Sequence, residues 1–278
     1  MRSTESDPQQ PAAAAGIGAV LWFALRLQLS SPRTLVLGLL HLVPLLLAGA
    51  WWVSRQFDLL RVFSDGREVF GFMVMTLYRP TLLLLSTLFY GSAVVREEVE
   101  NKTLTYLLLR PIPKWAIFLG RYLAAILIVL LLLAASLVLS YSVCALEGGF
   151  GTFVRNLDLL ARDLGALALG AFAYTAVFAL LSAAFKHPML IGLAFAFGWE
   201  NLVGHLPLLV GKLTLSHHLR ALLTHPEPGG SGLQAALFAL LGTPTPPGQA
   251  AALLAAATLT ALALGTALFA TREYLIEQ

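Results

Sequence analysis

Long stretches of this chain run without one charged side chain: Thr34–Ser54, Pro80–Val95, Tyr122–Leu146, Leu164–Phe185 and Gly248–Thr271. A further run, His187–Gly211, holds Glu200 as its only acid or base apart from His187 and His205. Runs of this length restrict the fold severely. A hydrocarbon core ~30 Å thick is crossed by about 20 helical residues at ~1.5 Å each. In lipid every backbone polar group must be paired internally, which leaves helices and closed barrels. A barrel requires short segments of alternating polarity, and these runs do not alternate. The balance of the composition agrees. Only 12% of the 278 residues are charged and 58% are hydrophobic, against about 25% charged in an average soluble domain. A soluble enzyme, a nucleic-acid-binding domain and a disordered chain are excluded, and no nucleic-acid partner is expected.

The expected fold is an all-α polytopic membrane protein. About six transmembrane helices fall at residues 34–54, 76–95, 117–146, 162–185, 188–211 and 248–271. Residues 1–15 form a flexible tail, and residues 16–278 one transmembrane domain. Ahead of the first span, Gly16–Ser30 places Ile17, Val20, Leu21, Ala24 and Leu27 on one helical stripe, with Arg26 and Gln28 off it. This predicts an amphipathic helix lying at the membrane interface, and Arg26, Pro32 and Arg33 predict a break before the span. Small residues at Ala166, Gly170 and Ala173, and at Ala251, Ala255, Thr258 and Gly265, predict close helix contacts in the fourth and sixth spans. The Leu-rich third span is expected to face lipid or bulky neighbours.

Six spans place both termini on one side. With the termini inside, about 10 of the 18 Lys and Arg lie inside and 8 outside, and the densest basic cluster, Arg96, Lys102, Arg110, Lys114 and Arg121, lies inside. That is the sense of the positive-inside rule. The expected orientation has both termini cytoplasmic. The single Cys144 can form no internal disulfide.

The connection from Val95 to Ala124 carries the most information. The second span runs into Arg96-Glu97-Glu98-Val99-Glu100, a helix follows with Leu104, Leu107 and Leu108 on one side, and Pro111 and Pro113 end it. Lys114-Trp115 then begins the third span. A simple connector needs only a few residues, so a charged helical hairpin projecting from the membrane is expected to meet another surface. Glu200 is the one acid inside a span. Intramembrane acids are costly, and they mark pathways or pair with a neighbour. Glu200 is expected either to line a path or cap a half-helix, or to pair structurally with an arginine such as Arg79 or with a helix end.

Other chemistry finds little support. Gly204–Lys212, GHLPLLVGK, has six residues between its glycines where a P-loop has four, and Leu213 stands where Ser or Thr would bind Mg²⁺. The chain is expected to hold no ATP site, no metal site and no catalytic residues. His205, His217, His218 and His225 follow no zinc spacing and read as exposed loop histidines. Leu233–Leu241 is an apolar helix too short to cross.

One segment carries a family resemblance. Glu98, Glu100, Thr103, Leu104, Leu107, Leu108, Arg110, Pro111, Ile112, Lys114 and Trp115, followed by Gly120-Arg121-Tyr122-Leu123-Ala124, resemble the cytoplasmic signature of type-2 ABC exporter permeases. Asn101-Lys102 departs from it, since many members have Gly there. A second match is Trp199-Glu200-Asn201, followed by Leu206-Pro207 and Ser216-His217-His218-Leu219. The resemblance implies the permease subunit of an ATP-driven exporter in a prokaryotic plasma membrane. Its implied partners are a separate ABC ATPase that binds the ATP and Mg²⁺, a second permease copy or paralogue, and membrane lipid. The helix between the second and third spans would dock on the ATPase through Arg96, Glu97, Glu98, Glu100, Lys102, Thr103, Arg110 and Pro111. Glu200 would belong to the translocation path or outer gate. The other classes open to this composition are an integral membrane hydrolase or transferase and a non-transporting scaffold or assembly factor.

Overall fold

A computed structural model describes residues 9–57, 63, 65–100, 113–203, 209–226 and 245–271. Among them all regular structure is helical, and five helices are long and apolar enough to cross a membrane: Pro32–Gln56, Gly66–Arg96, Lys114–Gly148, Leu157–Ala184 and Pro247–Thr271. Two shorter apolar helices, Val20–Leu29 and Pro188–Glu200, accompany them.

Helix α1 (Gln9–Leu29) stops where the sequence predicts. Ser31 caps α2 (Pro32–Gln56), its hydroxyl accepting from the Arg33 N–H at 3.3 Å, and Pro32 sits in the first turn, where its missing N–H costs nothing. The break lets α1 fold against the start of the third span. Val20 and the Ile17 carbonyl lie so close to Gly120 that a Cβ there would meet them at 3.0–3.3 Å.

The second span is longer than its charge-free run. It begins with α3 (Gly66–Met73), capped by Asp65 through the Glu68 N–H at 2.8 Å. It passes through a π-helical stretch, Val74–Leu82, and continues as α4 (Leu83–Glu100). Pro80 explains the wide turns, because its ring would clash with the carbonyl four residues back in an α-helix. The stretch buries Arg79 at 8% exposure. Charge-free length therefore underestimated this span: one cation turned inward costs less than its sequence position suggests.

Helix α5 (Lys114–Ala145) is the centre of the bundle, in contact with α1, α2, α4 and the later spans. The expectation that it faces lipid or bulky neighbours describes its outward side. Its buried side carries small residues, Ala116, Gly120, Ala124 and Ala125, which admit close neighbours, while Leu123, Leu127, Leu131 and Leu139 face outward. One set of polar groups in this core is satisfied internally. The Tyr78 hydroxyl lies 2.9 Å from Ser136 Oγ and 3.0 Å from Ser140 Oγ, and Ser136 donates to the His41 carbonyl at 2.6 Å.

A 3₁₀ turn, Leu146–Gly148, and the short α6 (Gly149–Arg155) lead to α7 (Leu157–Ala184). Gly91 of α4 packs on α7 so tightly that a Cβ would lie 2.6 Å from the Phe178 Cβ and 3.1 Å from the Thr175 carbonyl. Lys186-His187 turns the chain into α8 (Pro188–Leu193), a second π-helical stretch, Ala194–Val203, a 3₁₀ segment, Leu209–Leu213, and α9 (Leu215–Leu222). The region expected as the fifth span is thus a shorter apolar helix that widens and then gives way to separate short elements. The last span, α10 (Pro247–Thr271), buries Ala250, Leu254, Ala261, Gly265 and Phe269. Its small-residue contact therefore centres on Ala250 and Ala261 rather than on Ala251 and Ala255.

Candidate functional site

Two places combine charge with helix ends. The first lies where the second span leaves the bundle, on the side that carries α1. Helix α4 carries Glu97, Glu98 and Glu100 in its final turn, and Lys102, Thr103, Arg110 and Pro111 lie outside the described residues. Just before that turn, Ser182 of α7 interposes its hydroxyl in the α4 ladder. Ser182 Oγ accepts from the N–H groups of Val95 (3.0 Å) and Arg96 (3.2 Å) and donates to the Ser92 carbonyl at 2.7 Å. In an unbroken α-helix the Arg96 N–H would bond the Ser92 carbonyl directly. A side chain inserted into this ladder is a recognised cause of bending. It ties the charged end of α4 to α7.

The start of α5 is fastened to the same region. The buried Arg121 guanidinium reaches the Val94 carbonyl at 3.5 Å, and the Lys114 ammonium donates to the Ala270 carbonyl at 3.3 Å. A displacement of the segment joining α4 to α5 would therefore act on α4, α5, α7 and α10 together.

The second place is built around Glu200, which is 1% exposed. Of the alternatives left by the sequence, the geometry is that of a helix-end contact. Its carboxylate accepts from the Tyr174 hydroxyl (2.7 Å) and from the backbone N–H groups of Leu215 (3.1 Å) and Ser216 (2.8 Å). Leu215 and Ser216 open α9, whose N-cap is Thr214; the Thr214 hydroxyl accepts from the His217 N–H at 3.3 Å. Unpaired N–H groups and the positive end of a helix favour an anion there, and here the chain supplies its own. The bonds join three segments distant in sequence: the π stretch, α7 and α9.

The far end of α9 is held too. His225 Nε2 lies 2.8 Å from Asp163 Oδ2, with the two side chains 5% and 0% exposed, and its ring meets Phe70 edge-on. Gly71 makes room for that ring, since a Cβ there would lie 2.5 Å from His225 Nδ1. His218 is buried and donates Nε2–H to the Lys212 carbonyl at 2.8 Å. The reading of these histidines as exposed is corrected for His218 and His225, whose partners fold back over the chain. His217 is half-buried and lies 3.1 Å from the Thr245 hydroxyl. Burial first, then the nearby His218, Lys212 and Arg220, hold its ring below the usual histidine value. His205 lies outside the described residues.

Sequence reasoning singled out Arg96 and Glu200 but missed Ser182, Tyr174 and the Asp163–His225 pair. Serine and tyrosine are unremarkable inside an apolar run, and no local spacing pairs Asp163 with a residue 62 positions away.

Comparison with known proteins bears on most of the bundle. No curated protein matches the chain. Residues 30–199, from the break before α2 to the residue before Glu200, match the family described as ABC-2 family transporter protein. That match spans well over half of the molecule, and the chain belongs to the ABC-2 transporter family.

Proposed function

We propose that this chain is the permease subunit of an ATP-driven exporter, forming the translocation path with a second copy or a paralogue. Membership of the family makes it a membrane component of an ABC transporter. The finer reading is supported chiefly by the charged end of α4, which leaves the matched bundle while fastened to α7 through Ser182. ATP and Mg²⁺ bind on a separate ATPase. The ATPase docks on the segment from Arg96 through Glu97, Glu98, Glu100, Lys102 and Thr103 to Arg110 and Pro111. Charges at such a surface set partner choice and register more than raw affinity. ATP-driven closure of two ATPases shifts the α4–α5 connection, and α5, with its many neighbours, spreads that displacement through the bundle.

On the opposite side Glu200 acts as the outer gate. While its carboxylate holds the N-terminus of α9, the segment after the second π stretch stays folded over the bundle. Breaking that contact releases α9. Exposed apolar side chains along α2, among them Leu35, Leu39, Leu42 and Leu46, provide surface for lipid and for the second permease. The protein resides in a prokaryotic plasma membrane with both termini cytoplasmic.

Sidedness is the condition on which docking depends, and cysteine labelling tests it. With Cys144, a buried thiol, replaced by Ala, Lys186→Cys should react with an impermeant maleimide only after cells are permeabilised. Gly151→Cys, in exposed α6, should react from outside in intact cells. The reverse pattern would place the α4 terminus outside, away from any cytoplasmic ATPase.

A further inference from the structure

A cavity of about 240 Å³ opens on the side of α1, where α2 begins and α4 and α7 end. Three separate segments bring cationic side chains to it: Arg33 from the first turn of α2, Arg96 from the end of α4, and Lys186 from the turn before α8, with His187 beside Lys186. Among the described residues no carboxylate lines it. The Arg96 Nε is buried there with no hydrogen-bond partner. A buried donor on a charged group is almost always paired, because desolvating it unpaired is costly. The rest of the wall is apolar, including Phe89 and the two-thirds-exposed Leu190. Three helices long and apolar enough to span lipid have an end here, so the cavity lies at the level of the headgroups.

We propose that this cavity binds a phosphate ester anion, that of an anionic phospholipid in the leaflet on the α1 side. The cations provide charge-assisted donors for phosphate oxygens, and the apolar wall accommodates the glycerol and upper acyl carbons. A phosphate free in solution shares the first requirement but makes no use of the second. Because Arg96 belongs both to the cavity and to the charged end of α4, a bound headgroup would hold that helix end at a fixed depth. The site goes beyond the transport reading and does not depend on an ATPase being bound.

The test uses the full chain, delipidated in mild detergent and titrated in parallel with short-chain phosphatidylglycerol, phosphatidylcholine and inorganic phosphate, with retention read by native mass spectrometry. Phosphatidylglycerol should be retained over phosphatidylcholine, and inorganic phosphate should not displace it. Lys186→Gln should weaken phosphatidylglycerol roughly fivefold, the contribution of one basic residue at an anionic surface, and Lys186→Arg should restore it. Arg96→Gln should weaken it at least as much. Should that variant fail to fold, the Lys186 pair decides, since Lys186 lies in an exposed turn. Equal retention of the two lipids, or unchanged retention in Lys186→Gln, would overturn the proposal. Displacement by inorganic phosphate would overturn the lipid assignment in favour of a soluble phosphate.

Discussion

Reversing Glu97, Glu98 and Glu100 to lysine is expected to strip the ATPase from the complex while leaving the permease folded. Three negative charges become three positive ones at the end of α4, next to Arg96 and Lys102. A charge desolvated against a partner and then left unpaired costs about 2–5 kcal/mol, and two such losses exceed what a transient interface can bear. Even charges on the rim would slow association and change its salt dependence. The fold should survive because the core packing near this end of α4 is carried by Val94 and Val95, which the substitutions leave in place. Gentle detergent purification of the tagged chain, with ATPase stoichiometry read on a gel, measures the effect. Asp158→Lys on the opposite side is the matched control, since Asp158 is exposed and forms a loose pair with Arg162 at 3.7 Å. Asp163 would be a poor control, because it is fully buried against His225. Wild-type ATPase content in the triple variant would remove this segment from the docking surface.

Glu200→Ala is expected to produce the largest loss of stability among single substitutions. It releases three donors at once: the Tyr174 hydroxyl and the N–H groups of Leu215 and Ser216. A buried donor left without an acceptor costs about 1–3 kcal/mol, and the favourable charge at the N-terminus of α9 is lost as well. Three such losses sum to about 3–9 kcal/mol, and even the lower end lowers the unfolding midpoint in detergent by roughly 6–12 °C. Glu200→Gln should fall between, because its amide presents one acceptor oxygen and one NH₂ to a set of donors. Tyr174→Phe should cost only about 1 kcal/mol, because it leaves the carboxylate and both backbone bonds in place. This ordering distinguishes a helix-capping carboxylate from one paired mainly with Tyr174, for which Tyr174→Phe would match Glu200→Ala. Proteolysis of the 200–215 segment provides a second readout. It should accelerate in Glu200→Ala and stay at the wild-type rate in Tyr174→Phe.

The spans were largely legible because transfer into hydrocarbon is a property of composition along a run. The break at Ser31-Pro32 was equally local, since a capping hydroxyl and a first-turn proline act within a few residues. The reading fell short where the deciding contact lies far away in sequence. Residues 188–211 are apolar enough to suggest one span, but apolarity measures the cost of entering lipid and says nothing about turning back. The helix–end contact from Glu200 to Leu215 and Ser216 is tertiary. The second span was read as 76–95, past Arg79, yet its helix begins at Gly66: Arg67 and Glu68 belong by composition to a polar connection, but they sit in the first turn behind the Asp65 cap. The charged segment after Val95 was conspicuous from its residues alone, whereas Ser182, which fastens it to α7, carries no sequence signal beyond being a small polar residue among alanines.

The central claim is that this membrane chain couples to ATP hydrolysis performed by another polypeptide. The most direct measurement is ATP turnover by the purified chain in lipid, first alone and then with its separately purified ATPase restored. The account predicts no turnover above background from the chain alone, stable association when the ATPase is added, and hydrolysis abolished by a mutation in the ATPase's own nucleotide site. Sustained turnover by a preparation of this chain free of other subunits would contradict it.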